Sequence, residues 1–247
     1  MAVAEETLWL ALAFLVIAAL YAAVGQAGAS GYLAAMGLGG LAPEVMKPTA
    51  LALNLVVAAI GTVLVRRAGL LDGRTFWPFA VLGFPFSLLG GALQLPAQVY
   101  YPAVGAVLVL SGALILRSAR RVRRAAPAVP PVWPALVTGA VIGFVSGTTG
   151  TGGGVFLAPV ILGMNWVEPR RAAAVTAAYN LLNSGAALAG AWASLGNLPP
   201  ALPLWGLAAG VGGVIGAVLG SRYLPATALR RLLALVLLLS GARLLLS

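Results

Sequence analysis

The chain contains no cysteine and no histidine among its 247 residues. Disulfides, thiol nucleophiles and imidazole-based metal sites are therefore excluded. An intramembrane serine hydrolase of the histidine-assisted kind is excluded with them, because nothing could activate the hydroxyl. Acid is scarce too. Five carboxylates, Glu5, Glu6, Glu44, Asp72 and Glu168, stand against fifteen lysines and arginines. None lies in the middle of an apolar run. A cation path normally needs carboxylate rings, and a proton relay in a membrane usually needs an internal carboxylate or histidine. Glu44 and Glu168 each precede an apolar run, and their neighbours Lys47, Arg170 and Arg171 suggest surface ion pairs. Charged residues make up only 8% of the chain, too few to cover a soluble domain.

Apolar residues dominate what is there, at 61% of the chain with a mean hydropathy of +1.02. Several apolar stretches of about 17–25 residues are long enough to span a bilayer. The expectation is an all-α polytopic membrane protein. A net charge of +10 would suggest nucleic acid in a soluble chain. Here the arginines cluster between apolar runs, as cytoplasmic loops require, and no nucleic-acid partner is expected. The N-terminal stretch has no basic n-region, so it reads as a first span rather than a cleaved signal.

The two halves resemble each other. Residues 95–118, LPAQVYYPAVGAVLVLSGALILRS, align without a gap to residues 224–247, LPATALRRLLALVLLLSGARLLLS. Earlier, GQAGASG at 25–31 matches GTTGTGG at 147–153, an offset of 122, and Asn54 matches Asn180. Internal duplication is a common way to build transporters. The organisation expected is a first membrane repeat at 1–118, a basic, proline-rich cytoplasmic linker at 119–131, and a second repeat at 132–247.

Each half holds four evident spans, at roughly 7–25, 49–65, 76–95 and 98–116, then 132–147, 172–193, 201–221 and 226–246. A glycine-rich segment follows the first span of each half, at 28–43 and 150–165. If these segments turn back, the halves are parallel, and nine of the fifteen basic residues face the cytoplasm. If they cross, the halves are inverted, and thirteen face it, leaving Lys47 and Arg243 outside. The charge bias favours five crossings per half and an inverted repeat. Each glycine-rich segment would then hold a short broken helix, completed by extended backbone that survives at that depth only inside protein or beside a polar cavity.

The run GTTGTGGG at 147–154 carries five glycines and three threonines in eight residues. Glycine admits positive φ, so successive N–H groups can converge on an anion. A helix starting at VFLAPVILG would add free N–H groups and the positive end of its dipole. Thr148, Thr149, Gly150, Thr151, Gly152, Gly153 and Gly154 are the candidate ligands in this half. Gln26, Gly28, Ser30 and Gly31 are the counterparts in the first half, which is poorer in donors. Asn54, Thr176, Asn180 and Asn183 are polar positions inside apolar spans, candidates to face the same path. Such neutral donors suit reversible binding of a small oxyanion. No catalytic residue, cofactor or metal is expected. GVGG at 210–213 and LGG at 89–91 read instead as close helix packing.

Taken together, the duplicated halves, GTGGGVFLAPVIL and RRAAAVTAAYNLLNS resemble the TauE/SafE family of sulfite exporters over nearly the whole chain. The resemblance implies a multi-pass permease of a bacterial or archaeal cytoplasmic membrane that moves sulfite, sulfonates or related sulfur-containing anions. It maps the family's glycine motif onto Gly150, Gly152, Gly153, Gly154 and Pro159, and onto Gly28, Ser30 and Gly31. In the first half the glycine triplet reads ASGY, and the proline is absent. The expected partners are a small anion and the lipid bilayer, with homodimerisation left open. A permease for another small anion, or an assembly subunit that moves nothing, is the alternative.

Overall fold

The computed structural model describes residues 2–118, 130–223 and 226–246. Most of the expected linker, its basic residues beyond Arg117, and the side chains of Arg222 and Arg230 therefore lie outside the described residues. The described chain is helical throughout, with ten α-helices and one 3₁₀ turn. The first half gives α1 (Ala2–Ala23), α2 (Ala29–Leu38), α3 (Pro43–Arg67), α4 (Gly73–Ala92) and α5 (Ala97–Ser118). The second gives α6 (Val132–Thr149), α7 (Gly154–Gly163), α8 (Pro169–Gly190), α9 (Leu202–Tyr223) and α10 (Ala226–Leu246). Among the described residues, α1, α3, α4, α5 and α6 are long and apolar enough to cross a bilayer.

The outside of the bundle is greasy, and its largely apolar interior also holds small and polar side chains. Leu8, Leu12 and Val16 on α1 are exposed, whereas Ser30, Thr49, Asn54, Thr176, Asn180, Asn183 and Ser184 are buried. Lipid tails are as apolar as leucine, so burying leucine gains nothing between membrane helices. Close backbone approach and internal hydrogen bonds hold them instead. On α6, Gly139, Gly143 and Gly147 lie every fourth residue. A methyl group on each would run into the backbone of Phe79, Gly83 and Ser87 on α4. These contacts advance together, so α4 and α6 are parallel. In the same way Gly212 and Gly216 of α9 sit on Leu15 and Ala19 of α1. The packing reading of the glycines at 89–91 and 210–213 fits these contacts, since Gly91 lies against Ala187 and Gly213 against Val57.

The packing partners exchange when the halves are exchanged. α4 packs on α6 as α9 packs on α1, and α4 on α8 as α9 on α3. The two remaining large interfaces pair each helix with its own counterpart, α3 with α8 and α5 with α10. Both of those run antiparallel. Gly61 meets Ala177 where Gly185 meets Leu55, and Gly105 meets Leu245 where Gly112 meets Leu238. The halves are thus interlaced, with their largest helix contacts between rather than within them.

One end of the bundle gathers arginine. Arg66 and Arg67 finish α3, Arg74 starts α4, and Arg170 and Arg171 start α8. Asp72 joins them at the N-cap of α4. Its carboxylate accepts from Thr75 Oγ1 at 2.9 Å and from the Arg74 N–H at 3.1 Å. Those bonds, helped by Arg171 and Arg74, hold its carboxyl below the usual aspartate range. At the other end the Trp205 indole of α9 donates to the Thr7 carbonyl of α1 at 3.0 Å.

Candidate functional site

Each half contains one hairpin in which a long helix ends, the chain turns through glycine, and a ten-residue helix starts deep in the bundle. Gly25 and Gly150 take the same left-handed φ of 78° just past α1 and α6. Gly28 and Gly153 are then the N-caps of α2 and α7. These matches share an offset of 125 (150 − 25 and 153 − 28). The pairing of 25–31 with 147–153 at 122 is therefore corrected by three residues. The reason is that Gly147, Thr148 and Thr149 are not part of a loop but the last turn of α6. At about 1.5 Å per residue, α2 and α7 are each about 15 Å long, half the hydrocarbon thickness.

What anchors these half-helices is an asparagine on the long helix beside each. The Ala29 N–H donates to Asn54 Oδ1 at 2.9 Å, and the Gly154 N–H to Asn180 Oδ1 at 2.7 Å. A helix start leaves several N–H groups without intrahelical partners, and in lipid each must find one. Asn54 and Asn180 supply a neutral acceptor at mid-helix depth. Asn54 Nδ2 in turn donates to Ser184 Oγ of α8 at 2.7 Å, which ties the halves together. At this crossing Gly152 has a φ of 67°. A methyl there would lie 2.7 Å from Asn54 Nδ2, 3.2 Å from the Ala29 methyl and 3.3 Å from Asn180 Oδ1. The two helix starts therefore converge on Gly152.

Other expected residues are engaged elsewhere. Thr148 Oγ1 donates to the Phe144 carbonyl of its own helix at 2.8 Å, a local bond open to any helical threonine. Ser30 is buried and pairs with Tyr21 Oη at 2.9 Å, and Gly31 packs against Ile17 and Tyr21. Thr149 Oγ1 donates to Val145 and lies 2.9 Å from Thr151 Oγ1, both buried beside the turn. Asn183 Nδ2 donates to Ser146 Oγ at 2.7 Å, while its Oδ1 has no partner. Thr176 Oγ1 and Thr49 Oγ1 are also buried without one. Buried polar atoms without a protein partner are costly inside a membrane protein.

Gln26 stands apart. It lines a cavity of about 340 Å³ with Gly25, Ala27, Gly61, Ala173 and Ala177. The cavity extends along the last turns of α3 to Ala68 and Leu70, so it connects the first hairpin to the arginine-rich end. Beside the second hairpin the corresponding space is filled. Lys47 sits against Gly150 and is buried. Its ammonium donates to the carbonyls of Gly90, Gly91 and Leu93 at 3.2, 2.8 and 2.7 Å. The surface ion pair expected of Lys47 is thus overturned. Carbonyls at a helix end lack intrahelical partners, Gly90 alone being reached by the Leu93 N–H at 3.2 Å, and a cation there serves both them and the helix dipole. Ser184 was visible as a polar position in the same apolar span as Asn180 but not as a partner of Asn54, and Tyr100, whose hydroxyl donates to the Thr149 carbonyl at 2.9 Å, left no signal in the sequence.

Comparison with known proteins shows the family. Residues 10–244 match the family described as "Sulfite exporter TauE/SafE". The chain is 57% identical over 243 residues to the "Probable membrane transporter protein y4hK" of Sinorhizobium fredii (strain NBRC 101917 / NGR234), covering 97% of this chain and 98% of that one. No solved structure matches it. The chain is a multi-pass membrane protein belonging to the TauE/SafE family of membrane transporters.

Proposed function

We propose that the chain moves a small sulfur-containing oxyanion, such as sulfite or a sulfonate, across the cytoplasmic membrane, with the two hairpins as its binding site. The observation that carries this reading is the meeting of two half-helix N-termini at Gly152, with Asn54 and Asn180 holding their first N–H groups. An N-terminus favours an anion through its dipole and its free donors. Thr151 and Thr176 add hydroxyls, Thr149 positions the Thr151 hydroxyl while giving its own proton to the Val145 carbonyl, and Gln26 adds an amide on the cavity side. Thr148, Ser30 and Gly31 act behind this layer, through packing and through bonds to their neighbours.

The halves form an inverted repeat in this reading. The antiparallel pairs α3 with α8 and α5 with α10 support it, since a pseudo-two-fold axis lying across the helices would produce them. Each glycine-rich segment then crosses, and the arginine-rich end is cytoplasmic. The cavity at Gln26 is the cytoplasmic approach. Rocking of one repeat against the other would open the mirror-related approach at Thr151.

The test is uptake into proteoliposomes of sulfur-radiolabelled sulfite, sulfoacetate, thiosulfate and sulfate. Saturable uptake of at least one is expected. The double variant Thr149→Val and Thr151→Val should keep its melting temperature and raise the half-saturating concentration about tenfold, since one or two neutral hydrogen bonds are lost. Failure of all four anions to enter above empty vesicles refutes the substrate class.

A further inference from the structure

We propose that Lys47 is the outer gate of the transporter: its ammonium latches α3 to the end of α4 and so closes the approach to the second hairpin. The proposal rests on the alternating-access reading above but concerns access alone. The pseudo-symmetry supplies the argument. Gly25 of the first hairpin lies against Ala173 of α8, and Gly150 of the second lies against Lys47 of α3. These are corresponding contacts, with a small methyl in one and a lysine in the other. Beside Ala173 there is a cavity of about 340 Å³, and beside Lys47 only about 40 Å³, among Pro43, Glu44, Pro48, Gln94, Leu95 and Tyr100.

An ammonium has three N–H donors, and the three carbonyls of Gly90, Gly91 and Leu93 use them all. The bond set spans two helices that otherwise share no large interface, because α4 packs chiefly on α6 and α8. Separating α3 from α4 on this side thus requires that Lys47 let go. Nothing in the fold demands a charge here, since α4 could end on a polar neutral cap. A cation that is fully held in one state and released in the other is a two-position element.

The absence of cysteine makes the test direct, because one introduced thiol reports alone. Leu51→Cys probes the closed outer side, and Ala177→Cys, its repeat counterpart (177 − 51 = 126), probes the inner cavity. Each is labelled with a membrane-impermeant thiosulfonate in vesicles of known orientation. With Lys47 present, the inner thiol reacts from the arginine-rich side and the outer thiol is protected. Lys47→Met should speed labelling of the outer thiol at least tenfold and slow the inner one. Lys47→Arg, which keeps the charge and several donors, should retain the parent pattern. If Lys47→Met does not fold, Lys47→Gln replaces it, with a smaller shift in the same direction. Unchanged rates at both thiols in the folded variant would mean that Lys47 only caps α4, and would overturn the gate. A protein that gates but takes up none of the four sulfur anions refutes the substrate and leaves the gate standing.

Discussion

Changing Asn180 to Asp isolates the electrostatic claim from the structural one. The Asn180 Oδ1 atom accepts the Gly154 N–H at 2.7 Å, and a carboxylate oxygen of the same shape can do so as well. A negative charge at a helix start is favoured by the dipole, by about 0.3–1 kcal/mol when exposed. At the buried Asn180 this offsets part of the carboxylate's desolvation, so the comparison is made at a pH high enough to ionise it. The half-helix should therefore stay anchored. The anion fares differently. The methyl position at Gly152 lies 3.3 Å from Asn180 Oδ1, so an ion seated on Gly152 is about 4 Å from the new carboxylate. Two unit charges at about 4 Å and an effective dielectric of about 20 repel by about 4 kcal/mol. That is a loss of roughly a thousandfold in affinity. Asn180→Ala reverses the pattern, costing about 1 kcal/mol of helix anchoring and leaving no fixed charge. The assay is calorimetric titration with the transported anion, beside a melting curve for each variant. Asn180→Asp should melt near the parent and bind no measurable anion, whereas Asn180→Ala should melt lower and still bind. Binding by Asn180→Asp within tenfold of the parent would place the ion away from Gly152 and refute the site.

Two further outcomes follow from the fold. Because the largest interfaces join the halves, residues 1–118 or 130–247 expressed alone should fail to give a monodisperse species by size-exclusion chromatography, and the two co-expressed should restore one. Asp72 gives a pH dependence. Its folded carboxyl titrates below the ordinary aspartate range, so its contribution is present above that range and is lost as pH falls through the folded value. The difference in melting temperature between the parent and Asp72→Asn should hold steady at neutral pH. It should close only under acid conditions below the usual aspartate titration.

Much of the scaffold was legible in residue patterning. Long apolar runs bounded by arginine marked the spans, because the bilayer leaves few other solutions. The resemblance between the LPA…SGA segments pointed to α5 and α10, which pack on each other, and the consecutive glycines marked where helices break. The register of that break was not legible. Thr148 and Thr149 belong to the end of α6, since a hydroxyl bonded back to the preceding turn lets threonine stay helical in lipid. A linear reading sees only GTTGTG. The role of Lys47 was hidden for a different reason. Its partners are carbonyls 43 to 46 residues away at a helix end, and backbone acceptors leave no trace in side-chain identity. The polar residues Asn54 and Asn180 were visible as costly positions. That each would cap a neighbouring half-helix depends on the depth at which α2 and α7 begin.

The proposed latch and the proposed binding site are neighbours in the chain's packing, and this makes a coupling between them testable. Gly150 packs on the backbone and stem of Lys47, so the flexible side chain starts beside the segment proposed to hold the anion. A ligand shifts a conformational equilibrium only by its difference in affinity for the two states. In the latched state the ammonium is committed to three carbonyls, and in the released state it can turn toward the anion. Any attraction gained on release over that in the latched state would favour release. The transported anion should then accelerate labelling of Leu51→Cys in the parent background, saturating at its own binding constant. It should leave Lys47→Met, already unlatched, unaffected. A flat rate in the parent, or an equal acceleration in Lys47→Met, would show that the anion does not work the gate through this lysine.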